Sequence, residues 1–153
     1  MEKKTSPEAA RLADVEIENR RLKNALERLD DGFIIYDPED RVVHCNEAFR
    51  KLHRGLGDSI VPGLRFEDGI RQGVNAGIFD IGDMDPEEFI AKAVKNRNEN
   101  LESKGIVQFA DGGYMKRLDY RMDDGYTVGL RIDFTETQTR ELELEEARKK
   151  AES

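Results

Sequence analysis

Alternating hydrophobic and polar positions near the C-terminus predict a strand that leads directly into a helix. The hydrophobic positions of this strand are Val128, Leu130, Ile132 and Phe134. Such a period of two is typical of a half-buried strand. A charged, leucine-bearing helical run follows from Asp133, where we expect Thr135 to supply the N-cap oxygen and Gln138 to complete a capping box. With no linker between the two elements, a shift in the strand would move the helix.

A second pattern, with spacings of three and four residues in alternation, predicts one long helix over residues 7–30. Its repeating positions are Leu12, Val15, Asn19, Leu22, Leu26 and Leu29. In a coiled coil these would be the a and d positions, and a lone Asn at an a position favours a paired dimer in fixed register. We therefore expect the chain to form a homodimer through this helix.

Charged residues beside this seam favour a parallel dimer. The pairs that would face each other are Arg11 with Glu16 and Glu18 with Lys23. Opposite charges meet in both pairs, which adds a modest preference for the parallel arrangement. The alternative that the same apolar stripe packs against the chain's own domain stays open, because fewer than three full heptads are present.

The middle of the chain alternates strand-like and helix-like stretches between turn sequences. The strand-like stretches span residues 33–37, 41–45, 105–110, 114–122 and 126–134. Helices are expected after the capping residues Asn46 and Asp85, and the glycine-bearing stretch at residues 55–77 is expected to form short helical turns and loops. Two strands, several helices and three more strands predict an α+β domain. Its five-stranded antiparallel sheet would carry short helices on one face.

Composition limits the functions open to this domain. The chain has 153 residues, 37% of them hydrophobic and none of them Trp, which suffices for one modest core. Its net charge of -8 argues against binding to nucleic acid or to an anionic lipid surface. The longest apolar run, residues 33–36, is far shorter than the roughly 20 residues of a membrane span. Residues 1–4 lead into a helix start rather than a signal peptide, and Cys45 is the single cysteine, so we expect a cytoplasmic setting.

These elements, in this order, resemble the PAS (Per-Arnt-Sim) sensory domain over about residues 26–139. Residues 29–49 contain an opening hairpin and an Asn-x-x-Phe helix start, and residues 61–68 look like a segment of one bacterial PAS subgroup. Residues 124–136 are similar to the closing strand and the Asp-Ile-Thr-Glu exit motif, with Phe134 in place of Ile. The resemblance implies an N-terminal dimerisation helix at 1–31, a PAS domain at 32–134 and a C-terminal signalling helix at 135–153.

The resemblance also implies a role in signal transduction. In similar bacterial proteins the exit helix couples to an output domain such as a histidine kinase or a diguanylate cyclase. This sequence contains neither a nucleotide-binding glycine-rich motif nor a Gly-Gly-Asp-Glu-Phe signature. We therefore expect a non-enzymatic, dimeric input module in which Asp133 and Thr135 relay a signal to an output domain outside this chain. The alternative is a constitutive dimerisation or protein-docking domain without a ligand.

Candidate cofactor and metal sites are sparse in the sequence. Haem-binding PAS members carry a His on the helix that corresponds to residues 86–97, which has none here. Photoreactive flavin members carry Cys in an Asn-Cys-Arg setting, unlike Cys45. His44 and Cys45 would point to opposite faces of a regular strand and so would not share a metal. We expect no haem, no photoreactive flavin, no metal and no catalytic residues, because no nucleophile with an oriented base is evident.

A cavity between the sheet and the helices is the remaining candidate site. Its expected lining is Asn46, Phe49, His53, Phe66, Ile70, Phe89, Tyr120 and Leu130. Such a set of side chains more often fills a core than surrounds a metabolite. A small ligand would need polar groups inside the cavity, which Asn46, His53, Arg71 or Tyr120 would supply. The sequence selects no particular ligand.

Overall fold

The computed structural model describes residues 6–152, and the chain divides between Asp30 and Asp31 into two compact units. Residues 1–5 and 153, which belong to the predicted terminal segments, lie outside the described residues. The prediction that residues 1–4 do not begin a signal peptide therefore also falls outside them. The first unit contains helix α1 (Pro7–Glu27). The second unit contains the sheet and four further helices in its described residues.

Helix α1 begins where the sequence predicts and ends earlier. The Ser6 Oγ accepts a hydrogen bond from the Ala9 N–H at 3.0 Å and so caps the first turn. The helix ends at Glu27 because the chain tightens there, with the Leu29 N–H bonded to the Leu26 carbonyl at 3.3 Å. Leu29 therefore lies beyond the helix, which corrects its assignment to the seam.

The seam of α1 is exposed over its central turns. The exposed fraction is 62% for the Leu12 side chain, 54% for Val15 and 56% for Leu22. Asn19 is exposed as well, and Leu26 is half-buried. None of the residues of α1 is buried.

The second unit is an α+β domain built on a five-stranded antiparallel sheet, as predicted. Its strands are β1 (Gly32–Tyr36), β2 (Val42–Cys45), β3 (Glu102–Gln108), β4 (Tyr114–Arg121) and β5 (Thr127–Asp133). Its helices are α2 (Glu47–Leu52), α3 (Phe66–Asn75), α4 (Pro86–Glu99) and α5 (Thr135–Glu152), with a short 3-10 turn at Gly57–Ser59. The order across the sheet is β2-β1-β5-β4-β3, so the first and last strands of the domain pair near its centre.

The inner face of the sheet carries the polar series of β5 and not the hydrophobic one. Thr127, Gly129 and Arg131 are buried, whereas Val128 and Leu130 are half-buried on the opposite face. The register explains this choice, since Gly129 pairs with Ile34 of β1 and with Asp119 of β4. On β4, Met115 and Asp119 are buried on the inner face, whereas Tyr120 is exposed on the opposite face.

Gly129 is required at this position because two neighbours fill the space above its backbone. A Cβ atom there would lie 2.4 Å from an Asp119 carboxylate oxygen and 2.8 Å from the Ile34 side chain. Both distances are far shorter than a carbon atom tolerates. The missing side chain therefore lets a buried carboxylate sit directly over the central strands.

The core lies between the inner face of the sheet and helices α2 and α3. Its buried hydrophobic residues are Ile34, Tyr36, Val42, Cys45, Phe49, Ile60 and Phe66. Helix α3 is continuous for ten residues, which corrects the expectation of short turns there. Position 73 within that helix requires glycine because the Phe79 ring packs against it and leaves no room for a Cβ atom.

Candidate functional site

A cavity of about 70 Å³ lies between the sheet and helices α2 and α3. Its wall is mostly aliphatic and aromatic, and includes Leu56, Ile60, Ile78 and Val107. Apart from Tyr36, the polar side chains of its described lining are His53, Arg65, Gln72, Arg117 and Arg131. By the usual volume needed for one enclosed water, this space admits about five water molecules or a ligand of comparable size.

Four of the eight predicted lining residues surround this cavity. They are Phe49, His53, Phe66 and Ile70. Tyr120 is 40% exposed, and it lies with Leu130 on the opposite face of the sheet, which corrects their assignment to the lining. The prediction was wrong because it assigned the hydrophobic residues of these strands to the inner face of the sheet. Tyr120 and Leu130 instead lie on the outer face.

The other predicted positions lie elsewhere for separate reasons. Asn46 is a structural cap: its Oδ1 accepts from the Phe33 N–H at 2.9 Å and from the Phe49 N–H at 3.0 Å. Phe89 packs near Phe79, with ring centroids 6.2 Å apart, and is outside the lining. Arg71, weighed as a polar group of the cavity, instead pairs with Glu87. These corrections leave His53 as the one predicted polar group that lines the cavity.

Beneath the cavity, the Asp119 carboxylate is surrounded by three guanidinium groups. Arg131 Nη1 lies 2.8 Å from Oδ1, while Arg117 Nη1 and Arg97 Nη1 lie 2.5 and 3.2 Å from Oδ2. Arg97 also binds Asp40 in a bidentate manner, with two contacts of 2.8 Å. We call these five residues the arginine cluster.

The electrostatics of the arginine cluster follow from burial and from its excess of positive charge. Burial alone would raise the pKa of Asp119, but the neighbouring guanidinium groups outweigh it and hold that pKa below its ordinary value. Burial lowers the pKa of Arg117, and the charge of Arg131 adds to this effect. Tyr36, also buried, has its pKa raised to about 12 by desolvation. Asp119 is thus kept as a carboxylate, and Arg117 carries a charge that the protein solvates incompletely.

The junction between β5 and α5 is direct, and its hydrogen bonds differ from the predicted cap. Thr135 is the first residue of α5, so its hydroxyl does not occupy the N-cap position. Instead, the Tyr114 N–H donates to Thr135 Oγ1 at 2.9 Å, which ties the helix to the start of β4. The Asp133 Oδ1 accepts from the Thr135 N–H at 3.0 Å and from its hydroxyl at 2.7 Å. Asp133 therefore takes the capping role that the sequence assigns to Thr135.

Residues 26–142 match the family model described as the PAS fold. The chain belongs to the PAS family. This match confirms the resemblance to the PAS domain that the sequence shows. PAS domains are sensory and regulatory modules. No curated protein matches the chain.

Solved structures share the PAS fold with this chain at low sequence identity. The structure of an RNA-binding light-oxygen-voltage receptor has a TM-score of 0.57 at 16% identity, and the match covers 90% of this chain and 39% of that one. The sensor region of a sensor histidine kinase has a TM-score of 0.53 at 16% identity, over 73% and 42% of the two chains. A PAS domain from a two-component sensor histidine kinase has a TM-score of 0.52 at 6% identity, over 78% and 98%. Within the described residues of this PAS protein, no helix is both long and apolar enough to cross a membrane.

His53 is a neutral side chain in the cavity of this PAS domain. Its Nδ1 lies 2.7 Å from the Phe49 carbonyl oxygen, and its ring stacks on the Phe49 ring with centroids 4.4 Å apart. Because the carbonyl only accepts, Nδ1 is the protonated nitrogen in this contact. Burial lowers the pKa of His53 to about 4, so the imidazole carries no charge at neutral pH.

We expect His53 to make the stability of the domain fall on mild acidification. The folded pKa of about 4 lies below the ordinary 6.5, so the unfolded chain takes up the proton first. The contribution is complete above about pH 6.5 and is lost as the pH falls towards 4, by at most about 3 kcal/mol. Urea unfolding at several pH values in this range gives the slope of the free energy of unfolding against pH. We expect this slope in the wild type and its loss in His53→Gln. His44→Gln, the change at the other histidine, should keep the slope, and an unchanged slope in His53→Gln would assign it elsewhere.

The sequence left the arginine cluster unrecognised, although it held one signal. Arg117 and Asp119 alternate with Leu118 along β4, and Arg131 holds an equivalent inward position on β5. Charged residues at every second position of a central strand are unusual unless they pair with one another. Reading the period-two pattern for its charged series would have identified the inner face.

Proposed function

We propose that this PAS domain is the input module of a signalling protein, which pairs through α1 and passes a signal through α5 to an output domain. Histidine kinases and diguanylate cyclases are the output domains that fit an exit helix of this kind. The observation that carries the proposal is the direct junction, where β5 ends at Asp133 and α5 begins at Thr135. Only Phe134 separates the two elements, so a displacement of β5 would also move the first turn of α5.

The junction also gathers contacts from two strands. Asp133 pairs with Met115 in the register of β4 and β5, and Met115 lines the cavity. Tyr114, the residue before it, is hydrogen-bonded to Thr135 at 2.9 Å. A change in the cavity that moves β4 or β5 would therefore reach the first turn of α5 within one or two residues of chain.

Self-association through α1 supplies the second half of the proposal. Its exposed seam repeats at heptad spacing with Asn19 at an a position, and the flanking charges Arg11, Glu16, Glu18 and Lys23 complement one another in a parallel pair. A second copy of the chain is thus the occupant that this face favours. Sedimentation equilibrium of the purified chain is the direct test, and a monomer at 100 µM would contradict it.

Asp133→Ala is expected to uncouple the module from its output without unfolding it. The change removes both acceptor bonds to Thr135, at a cost of about 1–2 kcal/mol, which a folded domain tolerates. In a fusion that joins α5 in helical register to a histidine kinase core, autophosphorylation should change at least about threefold.

Asp124→Ala is the matched control for that change. Asp124 Oδ1 accepts from the Tyr126 N–H at 3.1 Å, so this variant loses a similar turn bond away from the junction. Its kinase activity should equal that of the unmodified fusion. Equal activity of Asp133→Ala and the parent, with both folded by circular dichroism, would count against the relay.

A constitutive dimerisation or docking domain without a ligand is the second candidate. The small cavity favours it, because about 70 Å³ is below the roughly 300–1,000 Å³ of most ligand sites. Native mass spectrometry of the purified chain separates the two functions. A homodimer that retains no small molecule and does not respond to added metabolites would support the second candidate.

A further inference from the structure

Two arginines face each other directly across the inner face of the sheet. Arg117 of β4 and Arg131 of β5 are register partners, and both line the cavity. Like charges directly opposite one another destabilise an antiparallel pair. Asp119 relieves this repulsion only in part, since it is shared with Arg97 as well.

The charges of the arginine cluster do not balance. Three guanidinium groups meet two carboxylates, Asp119 and Asp40, and Asp40 contacts only the far side of Arg97. The described lining of the cavity includes no Asp or Glu, and His53 is neutral there. A buried positive charge is thus left without an equal counter-charge at the floor of the cavity.

Arg117 also keeps hydrogen-bond donors in reserve. Within residues 6–152, its guanidinium makes two hydrogen bonds, from Nη1 to Asp119 Oδ2 at 2.5 Å and from Nη2 to Ser103 Oγ at 3.0 Å. A guanidinium has five N–H donors, so three remain for another acceptor. The side chain is held in place by its two bonds, which gives the spare donors a fixed direction.

The rest of the cavity sets the size and polarity of what those donors would bind. Its wall is formed by side chains such as Ile70, Phe79 and Val107, which favour an apolar body. Its volume of about 70 Å³ admits only a few non-hydrogen atoms. An acidic head on a short hydrocarbon chain satisfies both conditions.

From these observations we infer that the cavity binds a small aliphatic monocarboxylate, whose carboxylate lies against Arg117 and Arg131. The inference rests on the proposed sensory function and specifies its ligand class. Bound there, the anion would draw together the two strands whose ends hold α5, because Arg131 precedes Asp133 on β5 and Arg117 follows Tyr114 on β4.

The test is a titration of the ¹⁵N-labelled chain with acetate, propanoate, butanoate and 2-methylpropanoate, followed by amide shifts around the cavity. We expect saturable binding of at least one acid. The matching neutral amide, 2-methylpropanamide for 2-methylpropanoate, should bind at least about tenfold more weakly, because charge-assisted hydrogen bonds are lost. Arg117→Gln should weaken binding of the acid by a similar factor.

Control variants separate loss of the site from loss of the fold. Arg71→Gln removes an arginine of the surface of α3, outside the lining, and should bind as the wild type does. If Arg117→Gln does not fold, Arg117→Lys keeps the charge but not the planar fork and should bind more weakly than the wild type.

Each remaining outcome is decisive. Equal binding of the acid and its amide, or an unchanged affinity in a folded Arg117 variant, would overturn the ligand class. Failure of every acid to bind would overturn it too. None of these results bears on the proposed input module itself. The Asp133→Ala fusion tests its relay and sedimentation equilibrium tests its dimerisation, both independently of the ligand.

Discussion

Asp119→Asn is expected to destabilise the PAS domain by about 3–5 kcal/mol, which is a large part of the stability of a domain of this size. The carboxylate is 2% exposed, and Arg97, Arg117 and Arg131 all pair with it. Its loss leaves the buried Arg97 and Arg131 and the half-buried Arg117 with a neutral amide between them. Repulsion and incomplete solvation would then act together on the central strands of the sheet.

Urea unfolding followed by circular dichroism measures this loss. Glu136→Gln is the matched control, because it also removes one carboxylate, but from an exposed pair with Arg140 at 3.0 Å. Exposed pairs contribute little, so this variant should unfold at the wild-type midpoint within error. A midpoint for Asp119→Asn equally close to the wild type would show that the arginines tolerate one another without the carboxylate.

Leu22→Asp is expected to convert the proposed dimer into monomers, weakening association more than about 100-fold. Leu22 occupies a d position at the middle of the α1 seam and is exposed by 56% within one chain. Two such leucines, one from each copy, would lose about 1.5–3 kcal/mol each of apolar burial on substitution. Sedimentation velocity across a concentration series gives the dissociation constant.

Ile17→Asp provides the control on the same helix. Ile17 is also an exposed hydrophobic residue, at 45%, but it falls at the f position, away from the seam. The same loss of apolar surface there should leave the dimer intact. Dissociation in both variants would point to a general loss of helix, whereas a dimer in both would place the self-association surface outside α1.

Local signals in the sequence predicted the elements of the domain well. Ser6, Asn46 and Asp85 each cap the helix that follows them, because a short polar side chain next to a helix start satisfies a free N–H group. The last three strands are separated by the turn sequences at residues 111–113 and 123–125, each of which contains Asp and Gly. These signals act over a few residues, so they can be read without knowledge of the tertiary structure.

The inner face of the sheet was not predicted because it depends on residues far apart in the sequence. Asp40 lies in the turn before β2 and Arg97 at the end of α4, 57 positions away, yet they make the bidentate pair of the cluster. Arg131 is buried in place of Leu130 because it pairs with Asp119 of the same cluster, with Nη1 2.8 Å from Oδ1. A single-residue rule that places hydrophobic side chains inside fails wherever charges can solvate one another.

The cavity was half predicted for the same reason. Phe49, Phe66 and Ile70 lie on helices, where periodicity gives the buried face directly, and His53 follows the last residue of α2. Arg117 and Arg131 lie on strands whose two faces are both partly hydrophobic, so alternation alone does not choose between them. Chemistry that depends on the charged face is therefore visible only once the strands are paired.

The position of β1 between β2 and β5 also determines when the sheet can form during synthesis. Gly32 pairs with Arg131, and Tyr36 pairs with Thr127, so the central ladder joins the first strand of the domain to its last. The hairpin of β1 and β2 leaves the ribosome long before its partner strand exists. Closing so long a loop slows folding. Until β5 emerges, the nascent chain therefore carries an open strand edge, which makes this interval the one in which a chaperone would protect it best.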